Sequence, residues 1–339
     1  MSLTLGPNCQ VCGTKVNLSK CAACKVTHYC DLVHQASDRP EHKGACNAIK
    51  RARAALENQE AKLRAMPGDV LTPPGATIIE EHAGHFWGIY ETRPYMQARY
   101  ALVEALLRIK TYAAVEAALS HLLDMLRLCR SDNMGLRDIV PALLRLGKDQ
   151  ECYDFVKWWA TTGEREDYDW GDMDEPYLDL KDENAFEPPG LFVQKFAAVA
   201  HTISVTLLKI RILFDLRALK NAIIIGERVP QEILDNICNQ MVGNIVARRQ
   251  DIVERKNLDL LIEDLQTQVS NLYLAVEDGN KFFWSALLRP GANLTARPAS
   301  YSRGNEAEMQ LVLHYSYSSW TETPGAIDYI KMLVTDGNS

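Results

Sequence analysis

The chain has no run of about eighteen apolar residues, the length a membrane-crossing helix needs. Its most apolar region, Ile203 to Leu219, is interrupted by Lys209, Arg211, Asp215 and Arg217, so no membrane span is expected. The start lacks a basic segment followed by an apolar stretch. That predicts a reducing, intracellular setting in which disulfides do not persist and the sequons at Asn17 and Asn293 go unused. No Gly-x-Gly-x-x-Gly loop, phosphate-binding Gly-Lys-Ser loop or Gly-x-Ser-x-Gly elbow is present, which removes the usual signatures of nucleotide binding and of a hydrolase nucleophile. An Asp-x-Asp-x-Asp-Gly calcium loop is also missing. Sustained period-two alternation is confined to the first fifty residues and the neighbourhood of 78–90. Positive charge is scarce: the net charge is -7 over 339 residues. Residues 1–66 net +5, so the remainder nets -12, and nucleic acid is not an expected partner.

What is present is concentrated between Cys9 and Cys46. This stretch reads Cys9-x2-Cys12, Cys21-x2-Cys24, Cys30-x3-His34 and His42-x3-Cys46. Four close pairs make eight ligands, enough for two tetrahedral zinc sites with no open position, which implies structural rather than catalytic metal. Large apolar residues here are few, chiefly Val11, Val16, Leu18, Val26, Tyr29, Leu32 and Val33. So small a core does not fold unaided, and metal binding must supply the folding free energy.

The spacing resembles the MYND zinc finger, carried by Cys9, Cys12, Cys21, Cys24, Tyr29-Cys30, His34-Gln35, His42-Lys43 and Cys46. In that family the two sites interleave. The resemblance implies one zinc held by Cys9, Cys12, Cys30 and His34, and a second held by Cys21, Cys24, His42 and Cys46. His34 stands where the family usually has cysteine, and keeps a competent ligand. Arg39 stands near a position where many members have a tryptophan that helps form a peptide groove, so recognition of the family's short proline-rich peptides is not carried over. The chain as a whole resembles the MYND-finger proteins abundant in fungi.

Beyond the finger the pattern is helical, and the expected fold is mostly α: a zinc-stapled finger (1–50), a helix and linker (51–75), and an α-helical domain (76–339). A helix rich in Ala, Glu, Gln, Lys and Arg is predicted from Asn47 to Met66, with Lys50, Arg51 and Arg53 on a solvated face. Pro67-Gly68 stops it and Pro73-Pro74-Gly75 forms a linker. Glu80, Glu81, His82 and His85 sit close together, but no third ligand follows the His-x2-His pair, so a surface or packing role is expected. Apolar spacings of three and four predict helices over Tyr95–Ile109, Tyr112–Cys129, Met134–Leu146 and Gln150–Ala160. Leu123 is placed on the inner face of the second, and Ser131-Asp132-Asn133 supplies the turn and cap for the third. Lys110 and Gly147 mark equivalent turns 37 residues apart, and the region 95–160 resembles tetratricopeptide-like helix pairs.

Residues 163–190 differ. They hold eleven Asp/Glu against Arg165 and Lys181, a net of -9, together with Tyr168, Trp170 and Tyr177. The expectation is an insertion that packs partly on the helices and offers acidic groups to a basic partner. Leu191 to Ile225 reads as a long, largely buried helix, or two with a bend, with Phe192, Phe196, Val199, Ile203, Leu207 and Ile210 in its stripe. Further helices are expected over Pro230–Arg249, over Asp251–Asp278 with Leu260 in its stripe, and over Phe282–Leu288, Glu306–Trp320 and Pro324–Val334, with a loop at 289–304.

Cys129, Cys152 and Cys238 lie in helical patterns with no adjacent histidine. In one family a MYND finger sits within a strand-rich SET methyltransferase domain, but the Asn-His-Ser-Cys type signature of that domain has no match here. The expectation is a non-enzymatic adaptor that binds protein or peptide partners through the finger and the helical surface. MYND-containing regulators imply a nuclear or cytoplasmic scaffold in transcriptional or developmental control. Elemental analysis of the purified chain is expected to return about two zinc ions per molecule; a folded, metal-free protein would remove the basis of this reading.

Overall fold

The computed structural model describes residues 6–70, 73–226 and 243–337. Two compact units are present, one built from residues 3–140 and 169–177, the other chiefly from 141–168 and 178–339.

In the first unit a two-residue strand pair, β1 (Ser19–Lys20) against β2 (His28–Tyr29), precedes α1 (Leu32–Arg64). The expected interruption between the finger and a later helix does not occur: α1 runs unbroken for 33 residues and carries finger ligands on its first half. Asp31 starts it by accepting the His34 N–H at 2.7 Å, and Lys62 and Arg64 complement the dipole at its end. A short α2 (Ile78–Glu81) and two 3-10 turns (Phe86–Gly88 and Tyr90–Thr92) lead to α3 (Arg93–Leu107), with Pro94 in its first turn. Then α4 (Tyr112–Leu128) begins at Thr111, whose hydroxyl accepts the Ala114 N–H. Helix α1 packs on α3, and α3 on α4. Val115, Leu119, Leu122 and Leu126 are buried as their spacing predicts, but Leu123 lies on the outer side.

Met134–Leu146 is not an α-helix. It forms two 3-10 segments, Leu136–Asp138 and Val140–Leu146. Gly135 before them is left-handed at φ 68°, and Pro141 both lacks an N–H and disfavours the α conformation at Val140. The second tetratricopeptide-like pair therefore lacks its first α-helix. Asp132 does cap, as expected, accepting the Leu136 and Arg137 N–H groups at 2.7 and 3.0 Å. Burial pushes its carboxyl up to about 6. Residues 172–175 are fastened by Arg130, which donates to the carbonyls of Asp172, Met173 and Glu175 and lies over the Tyr177 ring.

The second unit contains α5 (Asp149–Ala160), α6 (Val199–Gly226), α7 (Gln250–Val253), α8 (Asp259–Gly279), α9 (Phe283–Leu288), α10 (Glu306–Glu322) and α11 (Ala326–Gly337). Residues 230–242 of the expected Pro230–Arg249 helix lie outside the described residues, and 243–249 form bends and turns. The expected Asp251–Asp278 helix divides at 254–258, where Asn257 Oδ1 takes the Asp259 N–H at 2.8 Å. Leu260 is 80% exposed rather than in the core, and Phe196, at 77%, precedes α6 instead of lying on it.

Helix α6 is buried nearly all round, which is why its apolar residues show so little asymmetry. Its buried charges have partners. Arg211 holds Asp149 through two contacts of 2.8 and 2.9 Å. Lys209 donates to the carbonyls of Ala185 and Glu187 and to Gln268 Oε1, and burial pulls its pKa down to about 7. The acidic segment is thus ordered where it passes α5 and α6. Asp154 accepts the Asp182 and Glu183 N–H groups, Gln150 donates to the Glu183 carbonyl, and Lys157 pairs with Glu183 and Glu187 at 2.6 Å each.

Arg145 and Glu322 form a buried bidentate pair, with both contacts at 2.8 Å. Removing one partner strands the other in low dielectric. Arg145→Met is expected to cost about 3–5 kcal/mol in denaturant unfolding, with most of that recovered in Arg145→Met/Glu322→Leu. A double variant no more stable than the single one would contradict this.

Candidate metal centre

Two turns of the same design open the finger. In the first, the Gly13 N–H reaches the Cys9 carbonyl at 2.9 Å, and Gly13 is left-handed at φ 73°. In the second, the Lys25 N–H reaches the Cys21 carbonyl at 2.9 Å, and Lys25 takes φ 63° despite its side chain, a conformation that costs about 1–2 kcal/mol outside glycine. Each turn aims two sulfurs to one side. Cys30 follows β2, while His34, His42 and Cys46 project from α1.

These elements gather the eight ligands into two sets, Cys9, Cys12, Cys30 and His34, and Cys21, Cys24, His42 and Cys46. Within each set all four ligand atoms lie within 4.8 Å of one another. The residue sets coincide with the interleaved assignment implied by the family resemblance. Around a tetrahedral zinc, sulfurs stand about 3.8 Å apart, and sulfur and nitrogen about 3.6 Å apart. Cys12 Sγ to Cys30 Sγ and Cys21 Sγ to Cys46 Sγ are both 3.7 Å. Cys9 Sγ to His34 Nδ1 and Cys24 Sγ to His42 Nε2 are both 3.6 Å. Cys30 Sγ to His34 Nδ1, at 2.9 Å, is a shortened edge. The donor set and spacing fit zinc in both places.

The electrostatics point the same way. Burial raises the Cys9 thiol, but the backbone N–H groups of Cys12, Cys30 and Val11 outweigh it and bring the pKa down to about 6. Cys21 is brought to about 6 likewise, against burial, by the Cys24 N–H, His42 and the Ala23 N–H. Cys30 and Cys46 move the other way. Burial, then Asp31 and the other sulfurs, push Cys30 up to about 12, and burial with Cys21 and Cys24 pushes Cys46 up to about 11. Crowded thiolates repel one another, and a zinc ion among them would offset that charge.

Several supporting residues were not apparent from the sequence. Arg53, expected on a solvated face, donates to the carbonyls of Ala23 and Cys24 at 3.2 and 2.9 Å and clamps the second turn. It shares the stripe Cys46, Ile49, Arg53, Leu56, a spacing that marks it as inward-facing. Thr111 caps α4 and also donates to the Val26 carbonyl at 2.7 Å, tying the finger to the α3–α4 hairpin. Tyr29 donates to Asp38 at 2.6 Å. His28, the third histidine of this stretch, is buried and joins neither set. Among the described residues the His82/His85 pair gathers no third ligand: Glu80 pairs with Arg64, and Glu81 accepts from Thr77.

Residues 9–46 match the family model of the MYND finger. This stretch is a MYND finger, a zinc-binding protein-interaction domain, and its two Cys3His sets are consistent with two structural zinc ions. No curated protein and no solved structure matches the chain.

Arg53→Met is expected to weaken metal retention at the Cys21/Cys24/His42/Cys46 set by about 10–100-fold, the usual effect of removing support behind a ligand. Competition with a chromophoric chelator measures it, and retention equal to wild type would show that the clamp contributes nothing.

Proposed function

We propose that this chain is a zinc-dependent adaptor, an intracellular, non-enzymatic protein of the nucleus or cytoplasm that binds protein or peptide partners through its finger and presents a helical surface for further contacts. The observation that carries the reading is the exposed apolar edge beside one metal set. Leu32 and Val33, between ligands Cys30 and His34, are 80% and 74% exposed, and Val11, between Cys9 and Cys12, is exposed too. A module this short of apolar residues leaves several of them in water, while its ligands close both coordination spheres. Exposed apolar side chains on a metal-fixed frame suit recognition rather than chemistry at the metal. Gln35, half-buried, and Lys43, exposed, lie on the same helix, and Gln35 follows directly on the edge.

The helical pair α3–α4 offers the second surface, in the manner of the tetratricopeptide-like pairs the sequence resembles. Exposed Asp169, Asp172 and Asp174 suit a basic partner. A role in transcriptional or developmental control follows from the finger class by analogy.

Affinity capture with the full chain tests the proposal, comparing wild type, Cys21→Ser and Leu32→Asp/Val33→Asp. Finger-borne partners are expected to be lost from both variants, while the Asp variant keeps its zinc. Partners unaffected by either variant map to the helices. If no partner distinguishes wild type from the Asp variant, the apolar edge is not the recognition surface. Saturable binding of radiolabelled S-adenosylmethionine would instead favour a methyltransferase.

A further inference from the structure

We infer that the two metal sets are unequal: the Cys9/Cys12/Cys30/His34 set is an exchangeable site that switches the finger's apolar edge, and the Cys21/Cys24/His42/Cys46 set is a permanent staple. This rests on the two-zinc reading of the finger and concerns its regulation.

The sets differ first in access. All four residues of the second are buried, whereas in the first Cys12 is exposed, Cys30 and His34 are half-buried and only Cys9 is covered. A competing ligand or a thiol-directed electrophile must reach a sulfur before it can displace zinc. The first set offers that approach and the second does not.

They differ next in what holds the protein around them. Among residues 6–20 only Cys9 is buried, so no apolar packing replaces the metal if it leaves. The backbone contacts there, Cys9 N to Thr14 O, Gly13 N to Cys9 O, Gln10 N to His28 O and the β1–β2 pair, are few. The support behind the first set is Asp31, itself exposed. Around the second set, Arg53 grips the turn from α1, Thr111 holds Val26 from α4, and Ile49 and Val26 are buried beside it.

The third difference lies in α1. Pro40 falls between His34 of the first set and His42 and Cys46 of the second. Proline has no N–H to offer the carbonyl four residues back, so one rung of the ladder is missing there although α1 continues through it. Unwinding that starts at Leu32 has a natural stopping point before His42. Loss of metal from the first set therefore dissolves the frame under Val11, Leu32 and Val33 and leaves the rest of α1 docked on α3. The apolar edge exists only while that set is loaded.

The test uses the full zinc-loaded chain. Zinc released to 4-(2-pyridylazo)resorcinol is followed by absorbance. Iodoacetamide pulses during release, read by mass spectrometry, report which thiols are free, and far-ultraviolet circular dichroism reports helix. The expected result is two steps of equal amplitude, the first faster by about 10–100-fold, the range that ligand support commands. Cys9, Cys12 and Cys30 are alkylated in the first step while Cys21, Cys24 and Cys46 are spared, and most helix signal survives it. Arg53→Met is expected to accelerate the second step alone. A single concerted step, or earlier alkylation of the Cys21 set, overturns the inequality and leaves the two-zinc reading standing. A chain that starts with fewer than two zinc ions overturns that reading and the inference with it.

Discussion

One helix carries ligands of both metal sets, and the finger depends on that arrangement. Cys30 immediately precedes α1, and His34, His42 and Cys46 lie on it, so the register of a single rod fixes where both tetrahedra form. The two Cys-x2-Cys turns have almost no apolar mass of their own. They are folded by what they bind, and what they bind is completed by α1. The same rod then continues past Cys46 and lays Ile49, Leu56 and Leu63 into the interior, where α1 packs on α3. Metal coordination at one end and ordinary burial at the other therefore share one element, and Arg53 sits where the two meet.

This continuity explains what could and could not be read from the residues. The eight ligands were legible because zinc imposes spacings that chance rarely reproduces, and the fold brings those residues into the same two groups of four. Helices α3, α4, α5, α9 and α10 were legible within a few residues because each shows one apolar stripe and a recognisable start. The start of α1 was missed because ligand spacing masked helical spacing: His42 and Cys46 are four apart for the metal and also for the helix. Met134–Leu146 was misread because its leucines keep helical intervals while the left-handed Gly135 and Pro141 together disfavour the α backbone. Leu123, Leu260 and Phe196 show the limit of pattern alone, since an apolar side chain at the edge of a stripe, or just outside a helix, is free to face water.

Charge inside the second unit was the least legible feature. Lys209, Arg211 and Asp215 served in the sequence only to rule out a membrane span, yet all are buried on α6. Nothing local announces this, because their partners lie far off in the chain: Asp149 for Arg211, and the Ala185 and Glu187 carbonyls with Gln268 for Lys209. Buried ions of this kind add little net stability over an apolar core, but each demands its counterpart. They fix the placement of α5, α6 and α8 by leaving few alternatives that satisfy every group.

The segment from Asp182 to Glu187 follows from the same logic. By composition it is the most expendable stretch of the molecule, acidic and without regular structure. In the fold its backbone serves as the receptor for side chains on three helices. Shortening it would take the Ala185 and Glu187 carbonyls from the buried Lys209 ammonium and leave it Gln268 as its remaining acceptor of the three, so what looks like a spacer behaves as a fitted part whose length is dictated from within.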